Sequence, residues 1–263
     1  MQLTFDLISD LHLDTWPDDF DWTGHSTSPI CVVAGDVART RSRVIQTLQH
    51  LGNCYNLVLY IDGNDEHKSM MHDLDHSYQD LHREIEGLAN VVYMQDRVII
   101  LNGVAFVATN GWYTFDFDAD LDFQTTIDQW SQDTDANCLD IEALGNWARA
   151  DAAYLYRTVE KLQRHKDVKR IVVVSHTVPR TELIEHDLYL RGTYKHNLMG
   201  NTMLHRCLAM DTENKVSTWC FGHYHGSVDR VIDGVRYLNN CRGRGNTAYQ
   251  QAVYFPKRVC VEY

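Results

Sequence analysis

The sequence predicts a layered α/β fold on three observations. Short apolar, β-branched runs recur as far as residue 221, each closing on a polar cluster, as buried strands do. Stretches with helical spacing of apolar residues lie between them. The C-terminal third instead strings short runs together through turn residues and predicts an antiparallel meander closing a second sheet. Strands alternating with helices in this way form sheets covered by helices.

In chain order, strands are expected at 3–8, 30–34, 57–61, 104–108, 171–174 and 216–221. Helices are expected at 41–51, 69–88 and 141–166, the last with Leu144, Trp147, Ala148, Leu155, Val159 and Leu162 on one stripe. The late strands fall at 228–232, 235–238, 252–255 and 258–261, with Asp233-Gly234 and Pro256-Lys257 as turns. No repeat, low-complexity tract or Gly/Ser/Pro linker divides the chain, and it holds only four prolines, so one domain is expected over 1–263. Within it, 111–140 is an insertion in which eight aspartates alternate with Tyr113, Phe115, Phe117, Phe123 and Trp130. It reads as a solvated acidic loop anchored by its aromatics, with a cap beside an active site as the alternative.

Composition narrows the function. No stretch of 18 to 20 apolar residues is present, and the N-terminus has neither a basic start nor a long apolar run, so neither membrane insertion nor secretion is expected. Seven scattered cysteines, never in a C-x-x-C pair, argue against a disulfide framework or a zinc knuckle and fit a reducing cytoplasm. A formal charge of −12 repels polyanions, which makes nucleic acid an unfavoured partner.

The chemistry collects at strand ends. The strand 3–8 runs into Asp10-Leu11-His12, a carboxylate and an imidazole two residues apart. The strand 30–34 delivers Gly35-Asp36, and 57–61 delivers Gly63-Asn64. The strand 171–174 delivers His176, and 216–221 delivers Gly222-His223-Tyr224-His225. Any one of these alone is ordinary turn or surface chemistry. Five strand ends in succession, each offering an oxygen or imidazole donor, point to a metal centre at the carboxyl ends of a sheet.

This order and spacing resemble the calcineurin-like metallophosphoesterase family, whose motifs run D-x-H, G-D, G-N-H-[ED], H and G-H-x-H. The resemblance extends to Asn239-Asn240-Cys241-Arg242-Gly243, where many members carry N-P-R-G. It implies a four-layer α-β-β-α sandwich with two central mixed sheets and the metal site at the strand C-terminal ends. It also implies two divalent ions, with Mn foremost and Fe, Zn, Co or Ni as the others. Asp10, His12, Asp36 and His225 would hold one ion, and Asp36, Asn64, His176 and His223 the other, with Asp36 shared. The implied activity is hydrolysis of a phosphomonoester or phosphodiester in a small, nucleotide-like substrate by a hydroxide held between the metals. A protein phosphatase or a weakened metal-binding interaction module is the alternative.

Asp65 stands where the family carries the histidine understood to protonate the leaving group. An ionised carboxylate there would repel phosphate. Either Asp65 or the nearby His67 has a different catalytic role, or the chain is weakened so as to retain its ligand, or it binds without turnover. Arg242 is a candidate phosphate contact, since guanidinium pairs bidentately with phosphoryl oxygens. Tyr113 could flank the substrate, as could Trp112. His72, His76 and His82 read as solvated helix surface.

Overall fold

The computed structural model describes residues 1–17, 20–70, 73–132, 140–245 and 253–263. Eleven strands are described: β1 Gln2–Ile8, β2 Ile30–Ala34, β3 Leu57–Ile61, β4 Val91–Tyr93, β5 Arg97–Leu101, β6 Val104–Thr109, β7 Arg170–Ser175, β8 Val216–Phe221, β9 Asp229–Ile232, β10 Val235–Asn239 and β11 Lys257–Glu262. They alternate with α1 Arg41–Cys54, α2 Leu74–Glu86, α3 Phe123–Ser131, α4 Ile141–Gln163 and α5 Tyr194–Asn197. One sheet has the order β11-β1-β2-β3-β4 and the other β5-β6-β7-β8-β10-β9. Both are mixed: the first is parallel except for β11 at one edge, and the second has a parallel centre between antiparallel edges β5 and β9.

The period-2 alternation of the strands builds four layers. Leu3, Phe5, Leu7, Val32, Ala34, Leu59 and Ile61 face Val104, Phe106, Ala108, Val172 and Val174 between the sheets. The alternate residues Cys31, Val33, Val58 and Tyr60 pack outward on Val44, Leu48 and Leu51 of α1 and Leu81 and Ile85 of α2. On the far side, Ala105, Val107, Ile171 and Val173 pack on Leu155 and Val159 of α4. Three of the helices, α2, α3 and α4, begin on side-chain caps, Asp73, Asp122 and Asp140 each accepting from a backbone N–H three residues on.

Four expectations change. Of the expected C-terminal meander of the second sheet only the antiparallel β9–β10 hairpin forms: β10 lies parallel to β8, and β11 crosses to pair antiparallel with β1 from Gln2↔Glu262 to Leu7↔Lys257. The open edge of β1 supplies a ladder there, and Val259 and Val261 fill the space between the sheets. Val253, Pro256 and the residues between them form no strand, and Ala252 lies outside the described residues. Two strands escaped sequence reading. β4 is only three residues long, and β5 joins β6 through Asn102-Gly103, both at positive φ, a hairpin signal present but unused. The helix expected from residue 69 starts at Leu74, because 65–70 wind as a tighter turn.

The fourth change concerns 111–140. In the described part Tyr113, Phe115 and Phe117 are buried as anchors while Asp116, Asp120 and Asp122 are exposed, as expected, but the segment also carries α3 and buries Asp118. Asp151 of α4 anchors its start by accepting from the N–H groups of Gly111 and Trp112. The buried Asp118 accepts from His196 and from the N–H of Gly192, docking the segment onto the loop around α5. Asp133 and Asp135 lie outside the described residues.

Candidate metal centre

Because β1, β2 and β3 run parallel in one sheet, as β7 and β8 do in the other, their carboxyl ends open on the same edge of the sandwich. Backbone hydrogen bonds tie these ends together. Asp10 donates to Gly35 O at 2.9 Å, His12 to Asp36 O at 3.0 Å and Gly222 to His176 O at 2.8 Å. Asp10, His12, Asp36 and His223 all hold left-handed backbone, with φ of 50°, 44°, 54° and 64°. Each such residue costs on the order of 1–3 kcal/mol, a cost that the surrounding contacts must offset and that gathers at working sites.

The donor atoms converge in two groups, and a third set joins His12 and Asp36 to Asp65. Asp10, His12 and His225 bring one atom each within 4.8 Å of one another, and Asp36, His176 and His223 do the same. His12 Nε2 lies 2.9 Å from His225 Nε2 and 3.6 Å from Asp36 Oδ2, while His225 Nε2 lies 3.5 Å from Asp10 Oδ1. His176 Nε2 lies 3.1 Å from Asn64 Oδ1 and 3.4 Å from Asp36 Oδ1. Two donors each about 2.1 Å from one ion sit about 3.0 Å apart at a right angle and about 3.4 Å at the tetrahedral angle. These spacings therefore match the edges of coordination shells, with the two Asp36 oxygens turned one toward each group.

Hydrogen bonds outside the groups prepare the donors. His176 Nδ1 pairs with Ala34 O at 2.9 Å and His223 Nε2 with Leu198 O at 2.9 Å, so each ring donates on its far side and leaves the other nitrogen's lone pair for the site. Glu66 accepts from the N–H groups of Val37, Asp36 and Gly63 at 2.7, 3.1 and 2.9 Å, clamping the ends of β2 and β3. Asn239 donates to the carbonyls of Tyr224 and Gly226 at 2.8 and 3.0 Å and holds the loop that carries His223 and His225.

The charge states of the donors differ: Asp10 and His223 are held in the form a ligand needs, while Asp36 and His176 are shifted toward their protonated forms. Burial opposes ionisation of Asp10, yet its hydrogen bond with His225 and the charges of His176, His225 and His12 hold it well below the usual carboxylate range. Burial and His176 push His223 down to about 3, keeping its imidazole neutral as a ligand must be. Burial raises Asp36, against the pull of His176. His176 rises despite burial because Asp36 and Asp10 flank it. Two carboxylates, an amide and four imidazoles so arranged fit hard-to-intermediate divalent cations and lack any thiolate.

Not every expected site residue reaches the centre. Asp65 does: it is buried, its N–H donates to Asp36 Oδ1 at 2.9 Å, and its Oδ2 lies 3.2 Å from His12 Nδ1. His67 does not act there, because it is fully buried with Nε2 on Asp62 and Nδ1 on Ser77 Oγ, both at 2.8 Å, and its ring packs on Tyr78. Arg242 also turns away. Its guanidinium lies 3.9 Å over the Trp16 ring and 5.3 Å from that of Phe20. Arg242→Met is accordingly expected to lower stability by about 1–2 kcal/mol with turnover kept within about threefold, read from a urea titration alongside steady-state rates. Tyr113 is buried behind His223, ring centroids 5.9 Å apart, and Trp112 is core, its Nε1 donating to Tyr78 Oη.

Arg244 was missed. It lines a cavity of about 250 Å3 together with Asp36, Asn64, His223 and His225, and its Nη2 donates to Asp65 Oδ2 at 2.6 Å. The signal lay two residues beyond Arg242. Gly243, at φ 79°, turns the chain between them, so the two arginines serve different surroundings.

No protein-family model and no curated protein matches the chain. Among solved structures, it is similar to a phosphopantetheinyl hydrolase from Mycobacterium tuberculosis, with a TM-score of 0.73 at 20% identity over 92% of this chain and 90% of that one. It is also similar to a dimetal phosphatase from Danio rerio, with a TM-score of 0.54 at 14% identity over 97% and 91% of the two chains. At such identities the likeness is one of architecture, and the two helix-covered mixed sheets with their shared strand-end edge are the calcineurin-like metallophosphoesterase fold.

Proposed function

We propose that the protein is a metal-dependent phosphoesterase acting on a small phosphorylated molecule at the Asp36 centre. The observation that carries this reading is the spacing of seven donors from five strand ends, which fits two ions with Asp36 between them. Asp10, His12, Asp36 and His225 would hold one ion, and Asp36, Asn64, His176 and His223 the other. When bound, such a pair supplies positive charge to phosphoryl oxygens and lowers the pKa of water, which is the chemistry of in-line phosphoester hydrolysis.

The chain's own residues do the rest. Asp36 places one oxygen toward each group, His176 and His223 present fixed tautomers, and Arg244 puts a cation on the cavity wall. A cavity of about 250 Å3 supports a small substrate over a folded phosphoprotein. The net charge of −12 speaks against nucleic acid, and no described helix is long and apolar enough to cross a membrane. Mn heads the ions proposed, with Fe, Zn, Co and Ni as alternatives.

The test is metal analysis with turnover. Protein loaded with Mn is expected to carry two ions per chain and to hydrolyse p-nitrophenyl phosphate, with both properties lost to EDTA. Asp36→Asn should lose at least one ion and more than about 100-fold in rate. Undiminished double occupancy in that variant would overturn the assignment.

A further inference from the structure

We propose that Leu190 and Met199 form an apolar specificity wall beside the metal centre, and that the phosphate ester taken there carries an uncharged, apolar organic group in preference to a second anionic group. The proposal rests on the hydrolase reading above and names the substrate class of that same site.

The cavity of about 250 Å3 has two unlike sets of lining residues. Asp36, Asn64, His223 and His225 are proposed metal ligands, and a phosphoryl group belongs against them. Leu190 and Met199 line the same space and also pack on the buried core of the second sheet, so the wall they make is anchored. A pocket of this kind, mostly apolar with a few polar groups at one place, orients a ligand by its polar end and gains affinity from the rest.

The turn that carries Leu190 is pinned at Asp187, itself a lining residue and only 9% exposed. The Asp187 carboxylate accepts from the N–H of Tyr189 at 2.9 Å and from Tyr224 Oη at 3.1 Å. Its carbonyl accepts from the N–H groups of Leu190 and Arg191, both at 3.2 Å. Between Asp187 and Leu190 stand Leu188 and Tyr189, 80% and 85% exposed, which after Met1 are the most exposed large apolar side chains among the described residues. The pinned turn thus carries apolar surface from the cavity lining out to solvent, where an organic group longer than the cavity would remove it from water.

Charge disfavours a second anion. Arg244, the cation on the lining, is already engaged, its Nη2 donating to Asp65 Oδ2 at 2.6 Å. Asp187 places a fixed carboxylate on the lining three residues from Leu190, and it repels a carboxylate or a second phosphoryl group brought to that wall. The net charge of −12 acts in the same direction. A hydrocarbon meets no such repulsion.

The test is calorimetry on Mn-loaded protein, with metal content checked throughout, using phosphonates. These keep the anionic head group and are not hydrolysed, so the leaving group plays no part. A fully buried methylene is worth about fourfold in affinity, and one lying against a single wall about twofold. n-Hexylphosphonate, four methylenes longer than ethylphosphonate, is therefore expected to bind about 15-fold more tightly. The comparison ligand 6-phosphonohexanoate, whose chain of the same length ends in a carboxylate, should bind no more tightly than ethylphosphonate. Leu190→Asn should cut the hexyl preference to about threefold or less, and Leu190→Met should keep it, whereas a merely structural role would weaken both phosphonates alike. The double variant Leu188→Ser, Tyr189→Ser alters only exposed side chains and should lower the preference about threefold. Equal binding of hexyl- and ethylphosphonate, 6-phosphonohexanoate bound as tightly as n-hexylphosphonate, or a preference untouched by both variants overturns the inference while the hydrolase reading stands. No binding of any phosphonate together with no turnover of p-nitrophenyl phosphate at full metal loading overturns the hydrolase reading itself, and the inference with it.

Discussion

Glu66→Ala is expected to be among the most damaging single substitutions in the chain, lowering stability by about 3–6 kcal/mol and reducing metal occupancy together. The Glu66 carboxyl is buried and satisfies three backbone N–H groups, those of Val37, Asp36 and Gly63. Its removal leaves three buried donors without partners, each costing about 1–3 kcal/mol. In a protein whose whole stability is about 5–15 kcal/mol, that is a large share. Asp36 would suffer most, since its own N–H is one of the three and its side chain must keep an oxygen toward each donor group. A urea titration and metal analysis check this, and a loss below about 1 kcal/mol would show that the clamp is dispensable. A pH dependence accompanies it in the metal-free protein. Burial and the neighbouring Asp36 push Glu66 up to about 8, above its ordinary 4.5, so the folded state binds more protons than the unfolded between these values. Stability from this group is therefore full below about 4.5 and declines as pH rises through about 8. Glu66→Gln, a mimic of the protonated form, should flatten that slope.

Gly63→Ala is expected to abolish two-metal binding even though it adds a single methyl group. A Cβ at Gly63 would stand 2.6 Å from Asp36 N and 2.7 Å from His176 Cε1, against backbone on one side and a proposed ligand ring on the other. Neither can retreat. Asp36 N is held by Glu66, and the His176 ring is pinned through Nδ1 to Ala34 O. Overpacking of this kind costs about 1–3 kcal/mol, so the fold should survive. The centre should not, because the clash falls on a residue of each sheet where their donors meet. The expected result is a cooperative unfolding transition with second-ion occupancy lost and turnover down by more than about 100-fold. Retention of both ions would mean that the strand ends are far more yielding than their bonding suggests. Gly222 is built in the same way, its missing Cβ leaving room for Asp10 Oδ2 at 2.6 Å.

Most of the strands, and the candidate donors at their ends, were legible in the sequence because both are local. Leu3, Phe5 and Leu7, like Val32 and Ala34, alternate with period 2 whatever they later pair with, and a donor placed one to three residues past such a run lands at a strand end. Which strand lies beside which was not legible. The chain after β10 leaves the second sheet through the Ser9↔Cys241 bridge and returns as β11 along β1, 250 residues away in sequence, because that edge and the space between the sheets are completed only by the assembled fold. The roles of neighbouring polar residues were also decided in three dimensions. His67 and Asp65 stand two apart in a tight turn, yet His67 faces Asp62 in the core and Asp65 faces the centre. Arg242 and Arg244 are separated by one left-handed glycine, so the arginine in the familiar motif position stacks on Trp16 while the next one reaches Asp65. Periodicity sets which way a side chain leaves a regular strand. Beyond the strand end the backbone no longer repeats, and only contacts with distant parts of the chain determine where a charge comes to rest.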